Sequence, residues 1–340
     1  MTNLRMTMLA VAAGLALVSL ANNAGAATDP RSAVSPSRLA PITPPSQAAV
    51  TAARAAAEAR AKPVVVPADL PVLTAQQIAE RNTNARGGLA VWQRVQSMTL
   101  AGKLDAGKVR KDGGAVGEVS ALDRKKAKAD LRKALAEGRF EANAEKVIQL
   151  PFQLDLARPA KQRLEVPFQG QTAVQVYDGT NGWKLRPFLG RHEVEPFSAD
   201  ELKIAAGQQE LDGPLINYKA KGTKVEVEGG EMLEGRGAYR LRLTLKDGDV
   251  RHLWVDAKTF LEAKIEVAPR RWDGKLRTVT TTFRDYRAVD GVQIAHRLET
   301  QVEGVAGSES VYIERVALNP PLVAGRLDRK STRLNSSHRH

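Results

Sequence analysis

Few side chains of this 340-residue chain are of the types that do chemistry, and none falls into a pattern that names a reaction. His192, His252 and His296 stand far apart, with no H-x-x-x-H pair, so a zinc site is not expected. No G-x-S-x-G elbow offers a nucleophilic serine. Gly113-Gly114 lacks the following Lys-Ser/Thr of a phosphate loop. There is no cysteine, so thiolate chemistry, disulfides and a cysteine-linked lipid anchor all lack their residue. Carboxylates are plentiful, but each has a turn or strand-face explanation. Glu299, which alternates with Leu298, reads as solvent-facing. A carboxylate pair assembled only in space stays open. The expectation is a protein that is not an enzyme, with no cofactor and no metal.

What remains is a pattern of strands. From residue 98 onward, apolar residues alternate with polar ones in short runs. Met98, Leu100, Gly102 and Leu104 share one face. So do Ile148, Leu150, Phe152, Leu154 and Leu156, followed by Leu164, Val166 and Phe168. Val174 and Val176 lead through the turn Asp178–Gly182 to Trp183 and Leu185, which reads as a hairpin. The alternation resumes at Val225 and Val227, then Tyr239, Leu241, Leu243 and Leu245, Leu253 and Val255, and Leu261, Ala263, Ile265 and Val267. It ends with Val279, Thr281 and Phe283, Ile294 to Val302, and Val311 and Ile313. Eleven or twelve strands with tight polar turns predict an antiparallel meander.

Helices are few. Thr74 with Gln77, and Ser198 with Glu201, have the spacing of capping boxes and predict helices from Ala75 and to about Ala206. Leu89 to Gln96 reads as a short helical turn, and Asp212-Gly213-Pro214 as the start of another. These segments carry Ile78, Leu89, Trp92, Leu211, Leu215 and Ile216, which need an apolar surface to cover. They are the expected lid, with Gly87-Gly88 and Asp212-Gly213 as hinges and Trp92 over the mouth of a cavity. The pattern over 121–138 is also helical. Arg124, Lys125, Lys128 and Arg132 on its polar side form a basic patch. Either this insert is a solvated excursion, or it touches an anionic membrane or a protein partner.

The ends stand apart from the folded part. Arg5, the apolar run Met6 to Leu20 and Ala24-Gly25-Ala26 read as a secretory signal peptide over 1–26, cleaved near Ala26, which implies export to the periplasm. The alternative is a retained anchor, for which the run is short. Residues 27–72 are rich in Ala, Pro, Ser and Thr and read as a disordered tether. Residues 328–340 resemble the translation of a sequencing-library adapter and are expected to be non-native; a natural polar tail is the alternative. The folded domain is expected over 73–327.

The formal charge is +13. Leaving out Arg5 removes one positive charge, and leaving out 328–340 removes three more, four basic residues against Asp328, so +9 remains. A basic exported chain suits anionic envelope surfaces. Nucleic acid is not expected, because aromatics are 5% of the chain and no stretch interleaves them with basic residues.

The order helix, long strand, hairpin with Asp178-Gly179-x-x-Gly182-Trp183, short helices, then Trp254-Val255-Asp256 with Phe260-Leu261-x-x-Lys264-Ile265, resembles the LolA-like outer-membrane lipoprotein-sorting proteins. Gly274 to Phe283, Asp285-Tyr286 and Val292 to Val302 extend the resemblance, which covers about 74–322. It implies a mainly β fold: one curved antiparallel sheet, an open half-barrel, under a lid of short helices. It also implies a monomeric carrier of lipid or lipoprotein acyl chains, between an inner-membrane donor and an outer-membrane acceptor. Relatives of the RseB type sense envelope stress on the same fold, which gives the alternative of a sensor or protein-binding module. The cavity is then expected among Leu100, Leu150, Phe152, Leu154, Val166, Phe168, Val176, Trp183, Leu241, Leu243, Ile265 and Phe283. The long tether and the basic insert depart from the classical chaperone.

Overall fold

The computed structural model describes residues 70–109, 146–187, 191–207, 211–272, 275–305, 307–322 and 325–328. The expected signal segment, most of the tether, the insert 121–138 with its basic patch, and 329–340 lie outside the described residues.

Thirteen strands form one antiparallel sheet. They are β1 (Ser97–Val109), β2 (Lys146–Ala157), β3 (Lys161–Phe168), β4 (Gln171–Tyr177), β5 (Gly182–Arg186), β6 (Arg191–Pro196), β7 (Lys224–Leu233), β8 (Arg236–Thr244), β9 (Val250–Asp256), β10 (Glu262–Trp272), β11 (Lys275–Val289), β12 (Val292–Val302) and β13 (Glu309–Leu318). The spatial order is β6-β5-β4-β3-β2-β1-β13-β12-β11-β10-β9-β8-β7, so the sheet is open and curved, with β6 and β7 as its edges. The chain starts in the middle, meanders out to β6, crosses to the far edge, and meanders back until β13 pairs with β1. Asn319 fastens that closure: its Oδ1 accepts the Gln96 N–H at 2.7 Å, and its backbone N–H donates to the Ser97 carbonyl at 2.8 Å.

Alternation places one apolar face along nearly the whole sheet. Leu164 pairs with Leu154, and Leu154 with Leu100. Across the middle, Leu104 pairs with Val311, Val311 with Leu298, and Leu298 with Phe283. Thr281 pairs with Ile265, Ile265 with Leu253, and Leu253 with Leu241. Paired residues point to the same side, so these side chains form one surface. The ladder between β2 and β3 ends at Gln153 and Glu165, beyond which Pro151 and Pro167 would face each other without N–H groups to donate.

Among the described residues, three helices accompany the sheet: α1 (Ala75–Ala85), α2 (Leu89–Arg94) and α3 (Ala199–Gly207). Both predicted capping boxes form. Thr74 Oγ1 accepts the Gln77 N–H at 3.2 Å while Gln77 Oε1 accepts the Thr74 N–H at 2.9 Å. Ser198 and Glu201 make the equivalent pair at 3.3 and 2.7 Å. The expected helix after Asp212 is instead a chain of turns, and Asn217, at φ 55°, stops any α-helical run there.

The connection from β6 to β7 is what covers the apolar face. Any link between opposite edges of an open sheet must pass over one side. Here α3 and residues 211–223 make the passage, and Leu211 and Ile216 pack with the β1–β4 half while Leu215 packs with the β7–β10 half. Helices α1 and α2 complete the cover through Ile78 and Trp92.

One close approach makes the central seam testable. A Cβ on Gly102, beside the irregularity between Ala101 and Gly102, would lie 1.9 Å from the Tyr312 carbonyl oxygen. Backbone cannot swing aside like a side chain. Gly102→Ala is therefore expected to lower stability by about 1–3 kcal/mol, as overpacking does. Urea denaturation checks this, and an unchanged midpoint would refute the seam as described.

Candidate functional site

Where the two halves of the apolar face meet, under the lid, a cavity of about 60 Å³ remains. Apolar residues such as Leu100, Phe283 and Leu298 form one wall, and Arg86, Glu262 and Tyr286 form a polar one. The volume is that of about two water molecules. Phe283 packs against both apolar clusters and so sits at their junction.

The polar wall is a buried network centred on Arg86, the residue that ends α1. Its Nη1 donates to Glu262 Oε1 at 2.7 Å, with side-chain exposures of 10% and 3%. Its Nε donates to the Gln293 carbonyl at 3.0 Å. Its carbonyl accepts the Trp92 indole N–H at 2.9 Å and the Gln293 N–H at 3.1 Å. Its guanidinium lies 4.9 Å from the centre of the Trp92 ring. The Tyr286 hydroxyl donates to Glu262 Oε2 at 3.1 Å. Burial, reinforced by the Glu262 carboxylate, pushes the Tyr286 hydroxyl well above its ordinary range, so it remains a donor. Burial opposes the charge on Arg86, but Glu262 outweighs it and raises the guanidinium above its ordinary value.

Two breaks in strand alternation aim these groups inward. Phe283 and Tyr286 both line the cavity although they are three apart on β11, and Asp285 between them takes φ 54°. The β9–β10 register shifts between Glu262 and Lys264, which turns Glu262 toward the interior beside its partner Val255. Period-two reading missed both residues because it assumes that such breaks are absent. Arg86 was missed because a basic residue ending a helix usually faces water.

A second polar knot holds the crossing segment. Asp212 accepts from Lys221 Nζ at 2.8 Å and from Arg158 Nη2 at 3.0 Å. Arg158 also donates to the carbonyls of Val95 and Trp92. Burial opposes ionisation of Asp212, yet Lys221 and Arg158 overcome it and hold the carboxyl below its ordinary value.

Of the residues expected to line a cavity, Leu100 and Phe283 line this one. Leu100, Leu150, Phe152, Leu154 and Val166 are buried in the cluster under Trp92, with Phe168 packed half-buried against it. Leu241, Leu243 and Ile265 are buried in the cluster under Ile78 and Leu215. Val176 and Trp183 do not join them. Val176 pairs with Arg163 and with Trp183, whereas the neighbouring Leu164 pairs with Gln175, so both lie on the opposite face of the sheet. That face carries the 325–328 turn, held by Arg326 Nε donating to Asp155 Oδ2 at 2.6 Å.

The lid also needs correction. Leu89 is 39% exposed, because the six-residue α2 buries only Trp92. Leu89 instead lines an open groove of about 430 Å³ between α1 and 215–219. Trp92 is fully buried and lines the cavity. Gly87 is wedged against the Gly291 carbonyl, where a Cβ would come within 2.1 Å, so the freer of the paired glycines is Gly88.

The three histidines among the described residues fall on three different strands. His192 lies on edge strand β6, His252 sits between Glu228 and Glu266, and the buried His296 bonds the Ile294 carbonyl. Glu299 is bound to Arg284 and Arg297. Among the described residues, no three metal-ligating side chains gather.

No family model and no curated protein matches the sequence. Among solved structures, the chain is similar to a LolA superfamily protein from Nitrosomonas europaea, with TM-score 0.47 and 15% identity over 76% of this chain and 100% of that one. A DUF1329 family protein from Desulfovibrio piger gives 0.46 and 11%, over 76% and 98%. A domain from Vibrio parahaemolyticus, provisionally named for outer membrane lipoprotein sorting, gives 0.45 and 12%, over 76% and 97%.

The network makes two predictions. Arg86→Met alone leaves Glu262 buried and unpaired and is expected to cost about 3–5 kcal/mol, while Arg86→Met with Glu262→Met recovers most of that loss. Equal losses in both variants, measured by urea denaturation, would contradict a buried pair. The second concerns pH. Asp212 titrates below its unfolded value of about 3.9, so its tie is complete above that value and is lost as pH falls through the lower folded one. The stability difference between wild type and Asp212→Asn should therefore hold steady above about pH 5 and shrink as pH falls below about 4. A difference that stays constant as pH falls would remove Asp212 from the lid's anchorage.

Proposed function

We propose that this chain is a periplasmic carrier that holds the acyl chain of a lipoprotein or another lipid between the sheet and its lid. It would act as a monomer, receiving cargo from an inner-membrane donor and passing it to an outer-membrane acceptor. The observation that carries the reading is the cover of the apolar face. A sandwich closes such a face with a second sheet. Here it is closed by short helices and turns, fastened by two compact polar knots around Arg86 and Asp212.

The cavity of about 60 Å³ is too small for a long acyl chain, so uptake must displace part of the lid. The gain on uptake is apolar burial, about 0.8 kcal/mol per methylene. About a dozen methylenes give roughly 10 kcal/mol before ordering costs. That suffices for a carrier that relies on no covalent chemistry.

The test follows Trp92. Organic extraction of the protein purified from periplasm should yield a lipid identifiable by mass spectrometry. Titration of delipidated protein with a fluorescent acyl probe should shift tryptophan emission to longer wavelength as Trp92 loses its buried surroundings. Trp92→Phe should bind the probe without that shift. An empty extract together with no probe uptake would refute carriage.

A further inference from the structure

We infer that Arg86, Glu262 and Tyr286 form a docking site for the carbonyl oxygen of an ester- or amide-linked acyl chain, an inference that rests on the carrier reading above. An arginine carries five N–H donors in a fixed fork. Among the described residues, the acceptors of Arg86 engage Nε and Nη1, at Gln293 and Glu262. The second N–H of Nη1 and both N–H groups of Nη2 are therefore the donors that the network leaves for a guest. The side chain is nine-tenths buried and lines the cavity, so its donors are largely withdrawn from bulk water.

Three features choose the guest. Glu262 already balances the charge of Arg86, and Tyr286 donates to Glu262, so the site has no net positive charge for an anion. A second carboxylate would meet Glu262 at low dielectric, where repulsion is strong. A neutral acceptor avoids this. The volume of about 60 Å³ accommodates a carbonyl-sized group, and the apolar wall of Leu100, Phe283 and Leu298 runs on from it for the tail. Gly213 keeps the site open on the lid side: a Cβ there would stand 3.1 Å from Arg86 Nη1 and 3.5 Å from Glu262 Oε1. A buried pair adds little stability over an apolar replacement, so orienting a polar guest is the gain it offers here.

The experiment compares guests that differ at one end. Radiolabelled methyl palmitate, palmitate and hexadecane are each presented from phosphatidylcholine vesicles to the full chain, and retention is measured after separation. Wild type is expected to hold the ester about tenfold more tightly than the hydrocarbon, the effect of one charge-assisted hydrogen bond. Arg86→Met with Glu262→Met should lose the ester preference, retaining ester and hexadecane equally even if the loosened lid changes the affinity for both together, with near-native melting as the folding control. Tyr286→Phe, with melting again as the folding control, should weaken retention of the ester more than that of the hydrocarbon. Equal retention of ester and hydrocarbon by wild type would overturn the docking site while leaving the carrier standing. A preference for the palmitate anion, or an ester preference that survives in the double variant, would likewise overturn it. Retention of none of the three would overturn both.

Discussion

The ion pair between Arg86 and Glu262 joins every part that must act together. Through its side chain, Arg86 reaches β10 at Glu262 and β12 at Gln293; through its carbonyl it takes the Trp92 indole N–H and the Gln293 N–H. One residue thus ends α1, orients α2 and fastens both to the sheet. An apolar contact could press a lid against a sheet but could not fix its register. Directional bonds at low dielectric do, because a misplaced lid would leave a buried charge without its partner.

The topology explains why a lid exists at all. Pairing β1 with β13 in the middle leaves β6 and β7 at opposite edges, and the link between them must cross a face. It crosses the apolar one because Leu211, Leu215 and Ile216 find burial there. The crossing segment contributes turns rather than a strand, so it adds no ladder of backbone bonds to the sheet. Its hold depends on side chains, chiefly Asp212 with Arg158 and Lys221. Side-chain ties can break and re-form without dismantling the sheet beneath.

Strand alternation made the architecture legible from sequence, and capping boxes marked two helix starts. The antiparallel meander with few helices follows from those signals, the open curved form was implied by the family resemblance, and there are thirteen strands where eleven or twelve were expected. Alternation also grouped Leu150, Phe152 and Leu154 with Leu100 correctly. It failed wherever both faces of a strand are covered. Val174 and Val176 are apolar and fully buried, yet they lie on the side of Arg163 and the 325–328 turn. Period two says that such residues share a face, but it does not say which face. The polar wall was illegible for the opposite reason. Glu262 and Tyr286 reach the interior only because irregular backbone at 260–264 and 285 rotates them there, and such irregularities follow from tertiary packing rather than local pattern.

The lid's own side chains occupy the space an acyl chain would take. Ile78, Trp92, Leu211, Leu215 and Ile216 are each nearly or fully buried. Burying such a side chain is worth about 1.5–3 kcal/mol, so the set contributes on the order of 10 kcal/mol. About a dozen methylenes contribute a similar amount. In the proposed carrier, exchange of lid side chains for an acyl chain would then be nearly balanced in apolar burial, leaving the polar knots to decide between the two states. A lid held only by apolar contacts would resist cargo in proportion to its own burial. With the polar ties of Arg86 and Asp212 as its fasteners, this lid is held by a few directional bonds whose loss frees it without any change in the sheet.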